Sequence, residues 1–247
     1  DEGAATALAV DGRRAVTGHA GGQIVLWDIE HAEKLKTFQQ GNSPVASLAF
    51  IDGGAAFVAA GKNGADAIFD VRGSSAPASM LESQVTPGPL LAASRSRDYI
   101  VTGGFDRFVR LWKAGTRSLV RAYGVRGGEL AALDIAPDGR YLASARAPGS
   151  VPIRSSVSSR TVRAFKADDS AVTSIAFAPA DRLLATADQV GNVKLWNLRT
   201  SRNVRTFRGH SGPVRAVNFS ADGRRLISAG QDGTIRIWAI SPAPPMN

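Results

Sequence analysis

The stretch Val214–Trp238 reads VRAVNFSADGRRLISAGQDGTIRIW, and its pattern decides the fold. Short alternating apolar runs are separated by turn residues. Ala216–Phe219 reads as one strand, Asp222-Gly223-Arg224 as a tight turn and Leu226–Ala229 as a second strand. Asp232-Gly233 then turns the chain into a third strand, Ile235–Trp238. Upstream, Val204–Phe207 has the same alternation and reads as the outer strand of the preceding unit. Period-2 alternation in runs this short favours half-buried strands over helices. The unit is a four-stranded antiparallel sheet, with strands a to d from inside to outside.

The same unit recurs along the chain. Trp27, Phe69, Trp112, Trp196 and Trp238 each close a strand c, at spacings of 42, 43, 84 and 42 residues. The double gap places a sixth, degenerate equivalent at Arg154. Eleven residues past this Trp position stand Phe38, Met80, Tyr123, Phe165 and Phe207. Ten residues before it stand Thr17, Ala59, Thr102, Ser144, Thr186 and Ser228, and five before it stand Gly22, Gly64, Gly149, Gly191 and Gly233, with Arg107 the exception. A fixed period of this length marks a repeat architecture. The units run over approximately 4–44, 45–87, 88–129, 130–171, 172–213 and 214–247, in one domain spanning residues 1–247. A sheet that is apolar on both faces cannot bury itself alone, so the units are expected to stack face to face around a central axis. The fold class is all-β, a β-propeller of six recognisable four-stranded blades, the last lacking its outer strand.

Composition narrows the chemistry. Hydrophobic residues make up 44% of the 247 residues and charged residues 21%, the balance of a folded globular chain. No apolar run is long enough for a membrane span and no signal-peptide pattern opens the chain, which starts at Asp1. The chain reads as soluble, cytoplasmic or exported after removal of a leader, with the compartment left open. Cysteine is absent, and His19, His31 and His210 have no metal-ligand spacing, so neither a metal nor a cofactor is expected. Gly61-Lys62-Asn63 lacks the upstream glycine and the hydroxyl of a phosphate loop. The net charge of +9, mostly from Arg, suits nucleic acid, anionic lipid or an acidic protein. Its dispersion disfavours nucleic acid.

Trp27-Asp28, Gly209-His210 and the six-fold register resemble the WD-repeat family, over essentially the whole chain. The resemblance implies a hydrogen-bonded network inside a blade, matched in full by His210, Ser228, Asp232 and Trp238. Elsewhere Gly21, Asn63, Pro148 and Val190 take the Asp place, which only Asp106 and Asp232 keep, so the blades without it are expected to rely on packing more than on polar networks. Ser228, His210 and Asp232 are also the residue types of a hydrolase triad. Their spacing is that of the family's structural network, and no catalytic residue is assigned.

WD-repeat proteins commonly bind partners with the residue just before the Asp place. Carried over, this gives Ala20, Lys62, Phe105, Ala147, Gln189 and Gln231, of which Phe105, with Arg107 and Arg126 near it in sequence, has the composition of a hot spot. Lys36, Arg121, Arg163 and Arg205 on strand d read as charges that keep an outer edge from pairing with other chains. Arg13, Arg14, Arg95, Arg97, Arg140, Arg182, Arg224 and Arg225 fall in the a-to-b turns and read as solvated or paired with nearby Asp. Asn218-Phe219-Ser220 fits a glycosylation acceptor, but an innermost strand should keep it inaccessible.

The function expected from these readings is a non-enzymatic scaffold for a protein partner. The alternatives are a regulatory or sensor propeller of a larger multidomain enzyme, and nucleic-acid binding through the arginine-bearing turns. In the last unit the register for strand d falls on Met246, and the first unit has only Asp1-Glu2-Gly3 before its strand a. Strand Ile235–Trp238 is therefore expected to be covered by a segment outside these residues, with a seventh blade left open.

Overall fold

The computed structural model describes residues 4–61, 66–80, 90–95, 98–104, 107–125, 130–146, 149–158, 160–167, 170–180 and 182–240. They form six antiparallel sheets in the order of the chain, five with four strands and the last with three. The described residues outside strands are turns and loops, apart from a single 3-10 turn at Asp52–Gly54. These are the blades of a β-propeller fold. Blades 1 to 3 belong to one compact unit, residues 1–126, and blades 4 to 6 to another, residues 127–247.

Pairing within the blades follows one register. The Trp-position residue of strand c lies opposite an apolar residue of strand b: Trp27 with Ala15, Phe69 with Phe57, Trp112 with Ile100, Trp196 with Leu184 and Trp238 with Leu226. Arg154 takes that place opposite Leu142. Blade 6 consists of Val214–Phe219, Arg225–Gly230 and Ile235–Ala239. Among the described residues its strand c pairs only with strand b.

Within each unit, one face of a blade packs on the opposite face of the next. In residues 1–126, Val16, Ile24 and Leu26 of blade 1 join Phe50, Phe57 and Phe69 of blade 2, and Val58 and Ile68 of blade 2 join Ile100 and Trp112 of blade 3. In residues 127–247, Val151 and Ile153 of blade 4 join Ile175, Phe177 and Trp196 of blade 5, and Val193 and Leu195 of blade 5 join Val217, Phe219 and Leu226 of blade 6. We call the first face forward and the second rear. Each fully buried side chain of this size contributes about 1.5 to 3 kcal/mol, so these contacts are the core.

In blades 1, 4 and 5 the aromatic eleven residues past the Trp position has one task, contact with the next blade. Phe38 meets Phe57 and Phe69 of blade 2 edge-on at 5.0 and 5.5 Å between centroids, Phe165 meets Trp196 of blade 5 at 5.4 Å, and Phe207 meets Trp238 of blade 6 at 5.3 Å. The register seen in the sequence is thus an inter-blade aromatic contact.

The glycine five residues before the Trp position is required twice over. Gly22 has φ +78° and Gly191 φ +94°, and a Cβ on either would lie 2.2 or 2.5 Å from a backbone oxygen, that of Gly41 or His210. Only glycine fits such a turn without strain.

Candidate partner-binding surface

In blade 6 a chain of hydrogen bonds runs from the strand-c indole to the loop before strand a. Trp238 Nε1 donates to Ser228 Oγ at 2.9 Å, Ser228 Oγ meets His210 Nε2 at 2.8 Å, and His210 Nδ1 meets Asp232 Oδ2 at 2.9 Å. An indole only donates and an ionised carboxylate only accepts, which fixes the directions: the Ser228 hydroxyl donates to Nε2, and Nδ1–H donates to Asp232. Asp232 also accepts from the Thr234 N–H at 3.0 Å, the Thr234 hydroxyl at 2.8 Å and the Ser211 N–H at 3.0 Å. These donors, the Thr234 N–H first, hold its carboxyl well below the usual carboxylate range. Ser228 is buried, and its oxygen is occupied by the Trp238 indole. That hydroxyl is placed to brace a sheet, with no open side for a substrate.

Blades 1, 4 and 5 keep more of this network than the expectation of blades held by packing more than by polar networks allowed, whereas blade 2 follows it. Trp27 donates to Thr17 at 2.8 Å, Trp112 to Thr102 at 2.8 Å and Trp196 to Thr186 at 2.9 Å. In the degenerate blade 4, Arg154 Nη1 donates to Ser144 Oγ at 3.1 Å. Blade 2, with Ala59 at the hydroxyl position, stacks Phe57 on Phe69 at 5.2 Å. His19 enters blade 1 from strand b rather than from the loop before strand a, with Nε2 3.0 Å from Thr17 Oγ1. In blade 5, Asp188 accepts from the N–H groups of Val190 and Asn192 at 3.0 and 2.8 Å, ordering the turn whose Asp place holds Val190. His19 and Asp188 share a register eight residues before the Trp position. That common offset was the signal available in the sequence.

Of the residues proposed from the sequence for partner contact, Phe105, Lys62 and Arg126 lie outside the described residues. Arg107, Gln189 and Gln231 are all exposed in b-to-c turns. Gln231 Oε1 accepts from Arg215 Nη2 at 2.6 Å. Arg107 has φ +63°, at the place where Gly22, Gly149, Gly191 and Gly233 carry positive φ in other blades.

The basic residues of strand d do something the sequence reading missed. Lys36 Nζ donates to the Gly73 carbonyl, Arg163 to the Arg199 carbonyl and Arg205 to the Ala239 carbonyl, each in the next blade. Lys194 reaches the other way, to Ala167 O of blade 4 at 3.0 Å. Burial first, and the Arg208 guanidinium second, hold this ammonium below the ordinary lysine range. Arg117 of blade 3 bridges to Ser79 Oγ at 3.1 Å and Asp70 at 3.3 Å in blade 2. These cations tie neighbouring blades together instead of only guarding an edge.

In the a-to-b turns, Arg13 pairs with Glu30 at 2.8 Å and Arg140 with Asp138 at 3.6 Å. A hollow of about 670 Å³ beside the first of these turns is lined by Asp11 and Asp28 as well as Arg13, Arg14 and Arg72. Mixed charge of this kind does not make a phosphate cradle. Asn218, expected to be inaccessible, is exposed. Among the described residues, no helix is long and apolar enough to cross a membrane, and no three His, Asp or Glu side chains converge as metal ligands.

Three segments match the model of the WD40 family (WD domain, G-beta repeat): residues 90–113, 159–197 and 201–239. The chain is a WD-repeat protein of the β-propeller class. It is similar to Autophagy-related protein 16 of Arabidopsis thaliana, with 26% identity over 154 residues, or 60% of this chain. The chain spans 30% of that relative's length. WD40 repeats generally mediate protein–protein interaction, and WD40 propellers are typically non-enzymatic scaffolds.

Proposed function

We propose that residues 1–247 act as one non-enzymatic domain that binds a protein partner through its b-to-c turns, centred on Phe105 and Arg107. The observation that carries this reading is the backbone of Arg107. An L-residue in the left-handed region costs about 1 to 2 kcal/mol, and glycine, which avoids that cost, stands at this place in the other blades described. Strain kept in an exposed turn, beside an aromatic residue, is a reason to look for a ligand there. Lys62, Arg126, Gln189 and Gln231 would form the periphery of the contact. The nucleic-acid alternative is weakened because several basic side chains are engaged with backbone carbonyls of adjoining blades.

The test compares wild type, Arg107→Gly and Phe105→Ala as baits, with thermal unfolding measured in parallel. Arg107→Gly is expected to unfold no earlier than wild type while losing its partner about tenfold or more in affinity, as hot-spot residues do. Unchanged affinity in both variants would overturn this site. Binding of mixed-sequence nucleic acid that weakens steeply with added salt would favour the alternative.

A further inference from the structure

At the edge of the contact between the forward face of blade 1 and the rear face of blade 2, the hollow of about 670 Å³ opens where a large side chain is missing. Each blade ties its a-to-b turn with one backbone hydrogen bond, donated two residues past the Trp position and accepted fourteen residues before it. The pairs are Ile29 to Arg13, Val71 to Ala55, Ala114 to Asp98, Ser156 to Arg140, Leu198 to Arg182 and Ile240 to Arg224. The accepting residue is thus Arg in blades 1, 4, 5 and 6 and Asp in blade 3, but Ala55 in blade 2, preceded by Gly53 and Gly54. Asp52, Gly53 and Gly54 take φ +52°, +62° and +84° in succession, a run that L-residues with a Cβ resist. A Cβ on Gly54 would stand 3.0 Å from Asp11 Oδ2. The wall of the hollow is therefore bare main chain.

The charges around it are not equivalent. Arg13 is paired with Glu30 at 2.8 Å. Asp28 is engaged as well, since Oδ1 accepts the N–H of Glu30 at 2.9 Å and that of His31 at 3.1 Å, and Oδ2 lies 3.2 Å from His31 Nδ1. Arg14 and Arg72 remain. Both line the hollow, Arg14 half-buried and Arg72 exposed, and among the described residues neither side chain makes a hydrogen bond or ion pair. Arg14 opens strand b of blade 1 and Arg72 lies two residues past strand c of blade 2, so the two blades hold one guanidinium each at the same opening.

A guanidinium takes a carboxylate through two parallel N–H···O bonds. Two separate guanidiniums suit separate monoanionic carboxylates better than one dense dianion, because Asp11 and Asp28 border the same space and repel concentrated negative charge. We propose that this hollow docks an acidic peptide segment of a partner protein, Arg14 and Arg72 receiving its Asp or Glu carboxylates beside the bare turn Gly53-Gly54-Ala55. The net charge of +9 draws such a segment in from longer range. The site uses other loops than those of Phe105 and Arg107 and is independent of that reading.

The test is fluorescence anisotropy with a labelled, end-blocked oligoglutamate peptide and its oligoglutamine counterpart, at about 150 mM salt, where charges more than about 8 Å apart are largely screened. Wild type is expected to bind the first and not the second. Arg14→Met and Arg72→Met are each expected to weaken binding about tenfold or more, whereas Arg224→Met, which removes the same charge at another a-to-b turn, should leave it within about twofold. Ala55→Glu places a carboxylate in the hollow and is expected to abolish binding. Should Arg14→Met unfold early, Arg72→Met and Ala55→Glu, both at exposed positions, carry the test. Four results would each overturn the proposal: no binding by wild type, wild-type affinity in Ala55→Glu, a loss in Arg224→Met equal to that in Arg72→Met, or displacement of the peptide by inorganic phosphate at lower concentration than by succinate.

Discussion

Arg154 Nη1 donates to the Ser144 hydroxyl at 3.1 Å, standing where Trp196 Nε1 donates to the Thr186 hydroxyl at 2.9 Å in the following blade. Two side chains of unlike shape deliver one donor to the same point of strand b. The blade that looks degenerate in sequence therefore keeps the side-chain hydrogen bond between strands c and b.

It follows that Arg154 matters for stability. Arg154→Met keeps an apolar stem and removes the donor, leaving the buried Ser144 hydroxyl short of a partner. The expected loss is about 1.5 to 3 kcal/mol, the range for a hydrogen bond to a charged group. Arg224→Met, at an exposed turn, should change stability by less than about 0.5 kcal/mol. Urea unfolding of the two variants checks the difference.

Asp232 links stability to acid. Its folded carboxyl sits below the unfolded value of about 3.9, so the unfolded state binds protons first as pH falls. Its contribution is fully present above that value and is lost as pH drops through the depressed folded range. The stability gap between wild type and Asp232→Asn should therefore be constant near neutrality and narrow below about pH 4. A gap that stays constant through the acid range would show that the carboxylate charge plays no part.

Lys194 should act at higher pH with the same sense, stability again rising with pH. Because burial and Arg208 depress it, the unfolded state holds the proton more tightly between the folded value and the ordinary lysine value of 10.5. Stability from this group rises with pH across that window. Subtracting the profile of Lys194→Met from that of wild type should expose that rise, and a flat difference would contradict it.

Gly191→Ala should be among the worst single substitutions in the chain. The new methyl group would meet His210 O at 2.5 Å in a backbone with φ +94°. A loss above about 2 kcal/mol is expected, since strain and overlap add. Gly12→Ala has positive φ but open space around it, and should lose only about 1 kcal/mol. Thermal unfolding of both variants separates overlap from strain.

The six-fold register, the strand order and, among the described residues, the three strands of blade 6 were legible in the sequence because each follows from spacing along one unit. The aromatic eleven residues past each Trp position was visible as a pattern, yet its purpose needed the neighbouring blade, since Phe165 and Trp196 are partners from different repeats. The network through His210, Ser228, Asp232 and Trp238 was legible through the resemblance to the WD-repeat family, whose four positions this blade matches. Arg154 and His19 were missed because an unlike side chain, or one from another strand, reaches the same hydroxyl register. Lys36, Arg163 and Arg205 read as edge charges because their acceptors are main-chain oxygens about a repeat away, which no residue type announces. Of the surface around Arg107, the sequence supplied the residues, and only the backbone supplied the strain.

Four of the fastenings between blades end on carbonyl oxygens, those of Gly73, Ala167, Arg199 and Ala239. Every residue type carries that oxygen, so the receiving position is free to change its side chain without releasing the bond. Such a joint is blind to the sequence on its far side. A repeat array built this way tolerates a drifting blade, with Pro152 and Arg154 in its third strand, and still fastens it to the following blade, which has kept Trp196.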